Sequence, residues 1–323
     1  MSLNPAQYLR WLNRYRQFAG RAEIGRVLRS ILACKFGRPL GKGAELTLHR
    51  WAFFRDLQQE TSMRILRAQP HELRVHCVGQ GGKAARLEVA LRDPEGGSSD
   101  PFVFHQVFLQ KDYGQVLDWF SRAAAGKEIK TILDIGANIG CSALFFCLRL
   151  PAPEVFCLEP DASNYARLQL NLALNPGLGI RCLQAALWTH SGNLNCAPEV
   201  REGNEWGCRF TEEAIAGAVK PRTVAAIDIA ELHKKSGFGQ VDFFKLDVEG
   251  AEYDVIQGAL KTIRDFHPIL LISIYHRPQD FFEIRPLIET VTQKYEYRFR
   301  YLCPTSPSNE FMLIAHAPEK SGA

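Results

Sequence analysis

A glycine-containing stretch with a single carboxylate holds the first residues that could do chemistry. It reads 131-TILDIGANIGCS-142, in which Asp134 closes an apolar run and Gly136 and Gly140 follow it. Glycine lets the backbone turn sharply and lets a ligand come close to the main chain. A helix that begins near Ile139 would also offer unpaired N–H groups to an anionic group. The stretch therefore predicts a ligand-binding turn between a strand and a helix.

The spacing of these glycines differs from the dinucleotide-binding pattern G-x-G-x-x-G. The three glycine positions of that pattern hold Gly136, Asn138 and Cys141. A dinucleotide pyrophosphate would also be a poor neighbour for Asp134, whereas a carboxylate there suits a cation such as the amino group of an amino acid. A nicotinamide oxidoreductase is therefore disfavoured, although it is kept as an alternative.

A second carboxylate follows at a distance that suits a nucleoside. Glu159 ends the apolar run of 155-VFCLEPD-161 and lies 23 residues after Gly136. An acidic residue at the end of the next strand can accept hydrogen bonds from both ribose hydroxyls. Ala185 and Ala186, at the third strand end, are small enough for a flat base to lie against the chain. Together these positions predict a nucleoside that carries an amino acid, which is S-adenosylmethionine.

Four charged residues crowd the segment 241-VDFFKLDVEGAEYDVI-256. Glu249 and Glu252 have a simple structural role, because acidic residues in the first turn of a helix interact favourably with its dipole. Lys245 and Asp247 do not, because charges on a buried strand need partners. We expect this pair to belong to the functional site.

These motifs resemble those of a known family. D-x-G-A-N-x-G, an E-P turn and K-x-D-V-E-G-A-E are similar to the motifs of the FkbM-type class I methyltransferases, and the resemblance covers about residues 102–315. It implies S-adenosylmethionine as the methyl donor and an α/β, Rossmann-like fold with a doubly wound, mostly parallel, seven-stranded sheet and an antiparallel C-terminal edge. The cofactor-binding residues that we expect are Asp134, Gly136, Asn138, Gly140, Glu159, Pro160 and Ala185.

The same resemblance suggests where catalysis takes place. The fifth strand of many members ends in an acid, a hydrophobic residue and histidine, and this chain has Ser273-Ile274-Tyr275-His276. His276 is our candidate general base, because imidazole titrates near neutral pH, and Asp247 is expected to position the acceptor or the imidazole. A strand-end histidine that hydrogen-bonds to backbone is the alternative, and Ser273 occupies the position where those members carry the acid.

The resemblance implies O-methylation of a small-molecule or sugar acceptor. An Asn/Asp-Pro-Pro-aromatic motif, which amino-group methyltransferases of nucleic-acid bases carry, does not occur in the sequence. Two alternatives stay open: a non-catalytic S-adenosylmethionine-binding protein, which Ser273 favours, and an RNA methyltransferase. The second rests on residues 1–75, which contain 14 Lys or Arg against 5 Asp or Glu.

The elements that must position these residues can be read from periodicity. We expect helices over 5–34, 47–67 and 115–125, a hairpin of strands 73–78 and 86–93, and a strand at 102–110. Strands at 131–135, 154–159, 179–186, 241–247 and 268–275 then alternate with helices, and a helix at 283–294 and strands at 296–301 and 311–316 follow. Such alternation predicts a parallel sheet that is covered on both faces.

The turn-rich segment 94-PEGGSSDP-101 predicts a boundary between an N-terminal helical and hairpin region, 1–100, and a methyltransferase domain, 101–323. The polar segment 191–210, which contains Trp206, is a candidate for substrate contacts.

Composition limits the class of protein. The chain has 323 residues, 46% of them hydrophobic and 23% charged, which is typical of a globular protein. No apolar run reaches membrane-spanning length and the N-terminus lacks a signal-peptide pattern, so a cytoplasmic location is expected. The nine cysteines show no metal-ligand spacing, so we assign no metal ligands from the sequence.

Overall fold

The computed structural model describes residues 21–35, 53, 56–57, 59–69, 72–79, 86–92, 98–123, 128–198, 208–212, 222–301 and 311–318. The chain forms two compact units, Met1–His105 and Gln106–Ala323. The predicted division at 100/101 lies five residues before this boundary, and the division of functions between the two regions stays a prediction. The part of the predicted helix 5–34 that precedes Arg21 lies outside the described residues.

The first unit contains helix α1 (Arg21–Lys35) and an antiparallel sheet of β1 (Met63–Gln69), β2 (Glu72–Val78) and β3 (Arg86–Arg92), in the order β1-β2-β3. The hairpin of β2 and β3 is as predicted, and Val75 pairs with Val89. Alternate residues of β2 are buried, which is the pattern of a strand with one covered face. The predicted helix 47–67 is wrong from Met63 onward, because β1 pairs with β2 there.

The predicted strand at 102–110 is also wrong. Asp100–Phe104 forms helix α2, and His105–Leu109 continues it as a π-helical turn. Pro101 lies in the first turn, where its missing N–H costs nothing. The carboxylate of Asp100 is fully buried and pairs with Arg92, with 2.6 Å between Nη2 and Oδ1.

The second unit is built on one seven-stranded sheet, as predicted. Its strands are β4 (Thr131–Ile135), β5 (Glu154–Leu158), β6 (Ile180–Leu183), β11 (Phe243–Leu246), β12 (Ile269–Ser273), β13 (Glu296–Tyr301) and β14 (Phe311–His316). The order is β13-β14-β12-β11-β4-β5-β6, in which only the pairs that involve β14 are antiparallel. All the residues of β11 and β12 are buried, as expected for strands that are covered on both faces.

Helices separate these strands along the chain. They are α3 (Asp112–Ala123), α4 (Cys141–Arg149), α5 (Ala162–Ala173), α6 (Ile229–Ser236), α7 (Glu252–Phe266) and α8 (Asp280–Glu289). Aliphatic residues of β4, β5, β11 and β12 pack with those of α7 and α8 in one core. This core fixes the carboxyl ends of the parallel strands along one edge of the sheet, where ligands of such folds bind.

A smaller sheet, absent from the sequence-based prediction, follows β6. It consists of β7 (Ala186–Leu187), β8 (Gly192–Pro198), β9 (Cys208–Thr211) and β10 (Arg222–Ile227), in the order β7-β10-β8-β9. The predicted strand 179–186 is therefore divided, because Ala186 leaves the main sheet to pair with Ala226. The segment 191–210 supplies β8 and part of β9. Trp206 lies outside the described residues.

Five cysteines in the described part of the chain are free thiols, and four of them are buried. Burial raises the pKa of Cys147 to about 12.

Each helix in the described residues is too short or too polar to span a bilayer.

Candidate active site

The turn after β4 is shaped by Gly136. Its φ is +76°, and a Cβ added there would lie 1.7 Å from the backbone oxygen of Asp247. Since no side chain fits that space, glycine is required where the turn after β4 meets the end of β11. The N–H of Asp247 also donates to the carbonyl of Ile135, at 3.1 Å. The two motifs that the sequence singled out are thus joined through their backbones.

The rest of the turn is fixed by Asn138 and Gly140. Asn138 has a φ of +52°, and its Oδ1 accepts from the N–H of Ile139 at 2.7 Å. Gly140 has a φ of +89°, and an added Cβ would lie 2.6 Å from Cδ1 of Leu168. Because Gly140 immediately precedes helix α4, this close packing sets the start of the helix against α5.

Asp134 is fully buried and already paired. Its Oδ1 lies 3.0 Å from Nζ of Lys245, and its Oδ2 accepts from Oγ of Ser142 at 2.5 Å. Lys245 Nζ also donates to the carbonyl of Gly136, at 2.7 Å. Burial lowers the pKa of Lys245, but the charges of Asp134 and Asp247 outweigh it and the net shift is upward. The carboxylate therefore supports the turn through Lys245, and its predicted contact with a cationic group of the ligand stays a prediction.

Glu159 lies at the end of β5 with only 5% of its surface exposed. Its Oε2 accepts from the N–H of Asn138 at 2.8 Å, and its Oε1 accepts from the N–H of Asp161 at 2.9 Å. Burial raises its pKa to about 7, against the opposing effect of these two hydrogen bonds. Each oxygen keeps a second lone pair, so the carboxylate can still accept from two vicinal hydroxyls.

The other predicted cofactor residues are Pro160, which follows Glu159 in the chain, and Ala185, near the end of β6. Pro160 is half-buried between Glu159 and Asp161, whose side chain caps helix α5 through the N–H groups of Ser163 and Asn164. Ala185 is 1% exposed and packs in the main core, while its neighbour Gln184 is exposed. A role for Ala185 beside a base stays a prediction.

A tight turn after β11 is held by Glu252. Glu249 and Gly250 have φ values of +54° and +94°. The carboxylate of Glu252 is fully buried and accepts from the N–H groups of Val248, at 3.0 Å, and Gly250, at 2.9 Å. Its position in the first turn of α7 was predicted, but this bracing of the preceding turn was not.

His276 is enclosed by three carboxylates. Its ring is 4% exposed, Nδ1 lies 2.7 Å from Oε1 of Glu252, and Nε2 lies 3.3 Å from Oε2 of Glu249 and 3.8 Å from Oδ1 of Asp247. Burial lowers the pKa of His276, but the hydrogen bond to Glu252 and the three negative charges raise it to about 10. A general base must be neutral before it takes a proton, so this upward shift of the pKa opposes the role that the sequence suggests for His276. A catalytic role for the residue stays a prediction.

Asp280 is a further buried carboxylate near Glu252 and His276, and the sequence analysis did not single it out. It is 1% exposed, lies three residues after Arg277, and has its Oδ1 3.9 Å from Nε of Arg277. Burial, together with the charge of Glu252, raises its pKa to about 6. Asp280 begins α8, three residues before the start of the predicted helix 283–294, so no periodic signal marked it. Ser273, which replaces the usual acid, is buried, with its Oγ 3.3 Å from Sδ of Met312.

The sequence matches the methyltransferase FkbM domain over residues 134–301, which is more than half of the chain and includes every site residue described above. The chain belongs to the FkbM methyltransferase family. It is an S-adenosylmethionine-dependent methyltransferase, as the motifs indicated.

Three curated proteins illustrate how far this FkbM methyltransferase resembles others. Methyltransferase sdnD of Sordaria araneosa is 28% identical over 195 residues, which are 50% of this chain and 71% of that protein. The 2-O-methyltransferase NoeI of Sinorhizobium fredii is 28% identical over 148 residues, 42% of this chain and 60% of the relative. The hexuronic acid methyltransferase AglP of Haloferax volcanii is 26% identical over 145 residues, 45% of this chain and 56% of the relative. The match thus spans less than two thirds of NoeI and AglP.

Proposed function

We propose that this FkbM methyltransferase moves the methyl group of S-adenosylmethionine to a hydroxyl oxygen of a small molecule or sugar. The observation that carries the proposal is the position of Asp247, whose backbone packs against Gly136 in the turn after β4. Its side chain is 30% exposed, so an acceptor can reach a carboxylate beside that turn. The relative NoeI, a 2-O-methyltransferase by name, supports transfer to oxygen, and AglP, a hexuronic acid methyltransferase by name, supports a sugar acid as the acceptor.

The chain must align the two reactants and receive one proton. S-adenosylmethionine supplies a methyl group that its sulfonium already activates, so the C–S bond breaks as the C–O bond forms and the hydroxyl proton is left over. We assign this proton to Asp247, which accepts a hydrogen bond from the hydroxyl and passes the proton on to water. The geometry favours Asp247 over His276, because both ring nitrogens of His276 face carboxylates and the ring is 4% exposed.

On the cofactor side we propose that Glu159 accepts from the two ribose hydroxyls. The carboxylate suits the ribose of a nucleoside, because each Glu159 oxygen accepts from only one backbone N–H and keeps a lone pair for a hydroxyl. Gly136 and Gly140 let the turn pack closely against Asp247 and Leu168, and we propose that the ligand lies along the backbone of this turn. Asn138, Pro160 and Ala185 complete the proposed surface around the ligand.

Replacing Glu159 by alanine is expected to weaken the binding of S-adenosylhomocysteine by about 1.5–3 kcal/mol, the usual contribution of a hydrogen bond to a charged group. This corresponds to roughly a 10- to 150-fold higher Kd in isothermal titration calorimetry. Glu154→Ala is the matched control, because Glu154 begins the same strand and is exposed. An unchanged Kd for Glu159→Ala would remove the ribose assignment.

The affinity for S-adenosylhomocysteine should also depend on pH. Glu159, with a pKa of about 7 in the free protein, is mostly protonated at pH 6 and then loses its charge and part of its accepting capacity. If only the ionised form binds, the apparent Kd rises about eightfold from pH 7.5 to pH 6. Calorimetry across this range measures the effect. Glu159→Gln should bind S-adenosylhomocysteine weakly, with a Kd that does not change with pH. If the Kd of this variant depends on pH as strongly as that of the wild type, the assignment is contradicted.

The reaction itself is tested with a panel of acceptors. The protein is incubated with S-adenosylmethionine and with monosaccharides, uronic acids, phenols or RNA, and release of S-adenosylhomocysteine is followed. Mass spectrometry then identifies the methylated product and NMR locates the methyl group. We expect an O-methylated small molecule. Methylation of RNA, or transfer to nitrogen or carbon, would overturn the proposal.

A further inference from the structure

We infer that Asp247, Glu249 and the Nε2 atom of His276 form a binding site for a divalent transition-metal cation, with Glu252 orienting the imidazole. Oxygen atoms of Asp247 and Glu252 and a ring nitrogen of His276 all lie within 4.8 Å of one another. Cation binding can be measured without cofactor or acceptor, so this part of the inference does not depend on the proposed reaction.

The first observation is a pair of buried polar atoms that face each other without a hydrogen bond. Nε2 of His276 and Oδ1 of Asp247 are both buried, and neither forms a hydrogen bond within the described part of the chain. The ring of His276 is 96% buried, and the two atoms are 3.8 Å apart. Buried polar atoms that form no hydrogen bond are rare in folded proteins, and coordination of an ion is one way in which such atoms are satisfied.

The second observation is the spacing of the surrounding atoms. Ligand atoms bound at ~2.0–2.2 Å to one ion lie about 3.0–3.5 Å from one another in octahedral or tetrahedral geometry. Nε2 of His276 lies 3.3 Å from Oε2 of Glu249, within this range, and its distance of 3.8 Å to Asp247 needs only a small inward movement. One imidazole and two carboxylates are ligands that suit Mn²⁺, Co²⁺ and Zn²⁺.

The third observation separates the ligands from the residue that holds them. Glu252 already accepts from the N–H groups of Val248 and Gly250 and contacts Nδ1 of His276. It therefore has little accepting capacity left for an ion, whereas its contact with Nδ1 turns Nε2 towards Asp247 and Glu249. A carboxylate on the far nitrogen is the usual outer partner of a metal-binding histidine, where it fixes the tautomer and the ring orientation.

Three protein ligands leave positions on the ion open. Where the proposed function holds, an acceptor hydroxyl would take one of them, and coordination would lower the pKa of that hydroxyl and fix its position beside the cofactor turn. The site would then select acceptors with two adjacent oxygen atoms, such as vicinal diols and hydroxy acids, since two oxygens can bind one ion.

The test is direct binding of Mn²⁺ to the intact protein after treatment with a chelator, followed by electron paramagnetic resonance and calorimetry. We expect one Mn²⁺ per chain and at least ~100-fold weaker binding in Asp247→Asn and in His276→Gln. Glu252→Gln should weaken binding by about 10- to 100-fold, as for other outer partners. His190→Gln is the control, because His190 and Glu212 form an exposed histidine–carboxylate pair elsewhere. Visible absorption of bound Co²⁺ gives a second readout, and its bands should change in His276→Gln.

The inference is overturned if the wild-type protein binds no Mn²⁺ or Co²⁺, or if Asp247→Asn and His276→Gln bind them as tightly as the wild type. Thermal melts and S-adenosylhomocysteine affinity show whether each variant is folded; where one is not, Glu249→Gln, at a ligand whose side chain is 27% exposed, decides in its place. If the protein binds Mn²⁺ but methylates no acceptor of the panel, the cation site stands and only the proposed function is contradicted. If the protein binds no metal and still transfers the methyl group after chelation, only the cation site is contradicted.

Discussion

Replacing Lys245 by methionine is expected to lower the free energy of unfolding by about 3–5 kcal/mol. Lys245 is 3% exposed and pairs with Asp134, which is fully buried, so the substitution leaves a buried carboxylate with only the Ser142 hydroxyl as partner. It also removes the hydrogen bond to the Gly136 carbonyl. Urea denaturation followed by circular dichroism measures the change. The m value, which is the slope of the unfolding free energy against urea concentration, is expected to stay constant.

The double variant Lys245→Met, Asp134→Asn separates charge burial from the loss of packing. Asparagine keeps the shape of Asp134 but carries no charge, so the double variant should regain a large part of the stability that the single variant loses. Lys261→Met is the control for removing a lysine, because Lys261 forms an exposed pair with Asp265 on the surface of α7. If the double variant is no more stable than Lys245→Met, the ion pair does not account for the loss.

The strands that carry the site could be predicted because they are continuous apolar runs. Strands β4, β5, β11 and β12 lie inside a sheet that is covered on both faces, so their sequences, such as 243-FFKL-246, need no alternation. Glu159 was predictable as well, since its distance from Gly136 follows from the length of one strand–helix–strand unit. These signals are local in sequence or tied to one repeated structural unit.

In the N-terminal part the wrong predictions come from local patterns that fit two kinds of structure. The buried residues Phe104, Val107 and Phe108 follow the spacing of a helix, but Phe, Val and Phe at 102–104 also suit a strand. Ser99, Asp100 and Pro101 are typical turn residues, but proline in the first turn is also a helix start signal. At Met63 the helix prediction failed because pairing with β2 overrides local preference.

The remaining differences depend on contacts between distant segments. Ala186 leaves the main sheet because it pairs with Ala226, 40 residues later, which no local pattern reveals. The protonation of His276 depends on Glu252, on the other side of a complete helix, and on the turn that carries Glu249. A sequence can indicate that His276 and Asp247 end neighbouring strands, but it cannot indicate that three carboxylates surround the ring.

Replacing Asp247 by asparagine is expected to lower turnover by about 10²–10⁴-fold on the acceptor that the panel identifies, with S-adenosylhomocysteine affinity within about twofold of wild type. Asparagine has the same shape as aspartate but cannot take the hydroxyl proton. Its backbone contacts with Gly136 and Ile135, which hold the cofactor turn, are unchanged by the substitution. Steady-state rates and calorimetry measure the two effects separately.

The control for this prediction is Asp265→Asn, because Asp265 has a similar exposure, 32% against 30%, but pairs with Lys261 and Arg264 at the surface. His276→Gln then decides which residue receives the proton. Normal turnover in Asp247→Asn with strong loss in His276→Gln would return the base assignment to His276, as the sequence suggested. Loss in both variants with normal Mn²⁺ binding would place both residues in proton transfer. Loss in both that follows the loss of Mn²⁺ would mean that the cation, held by Asp247 and His276, activates the acceptor.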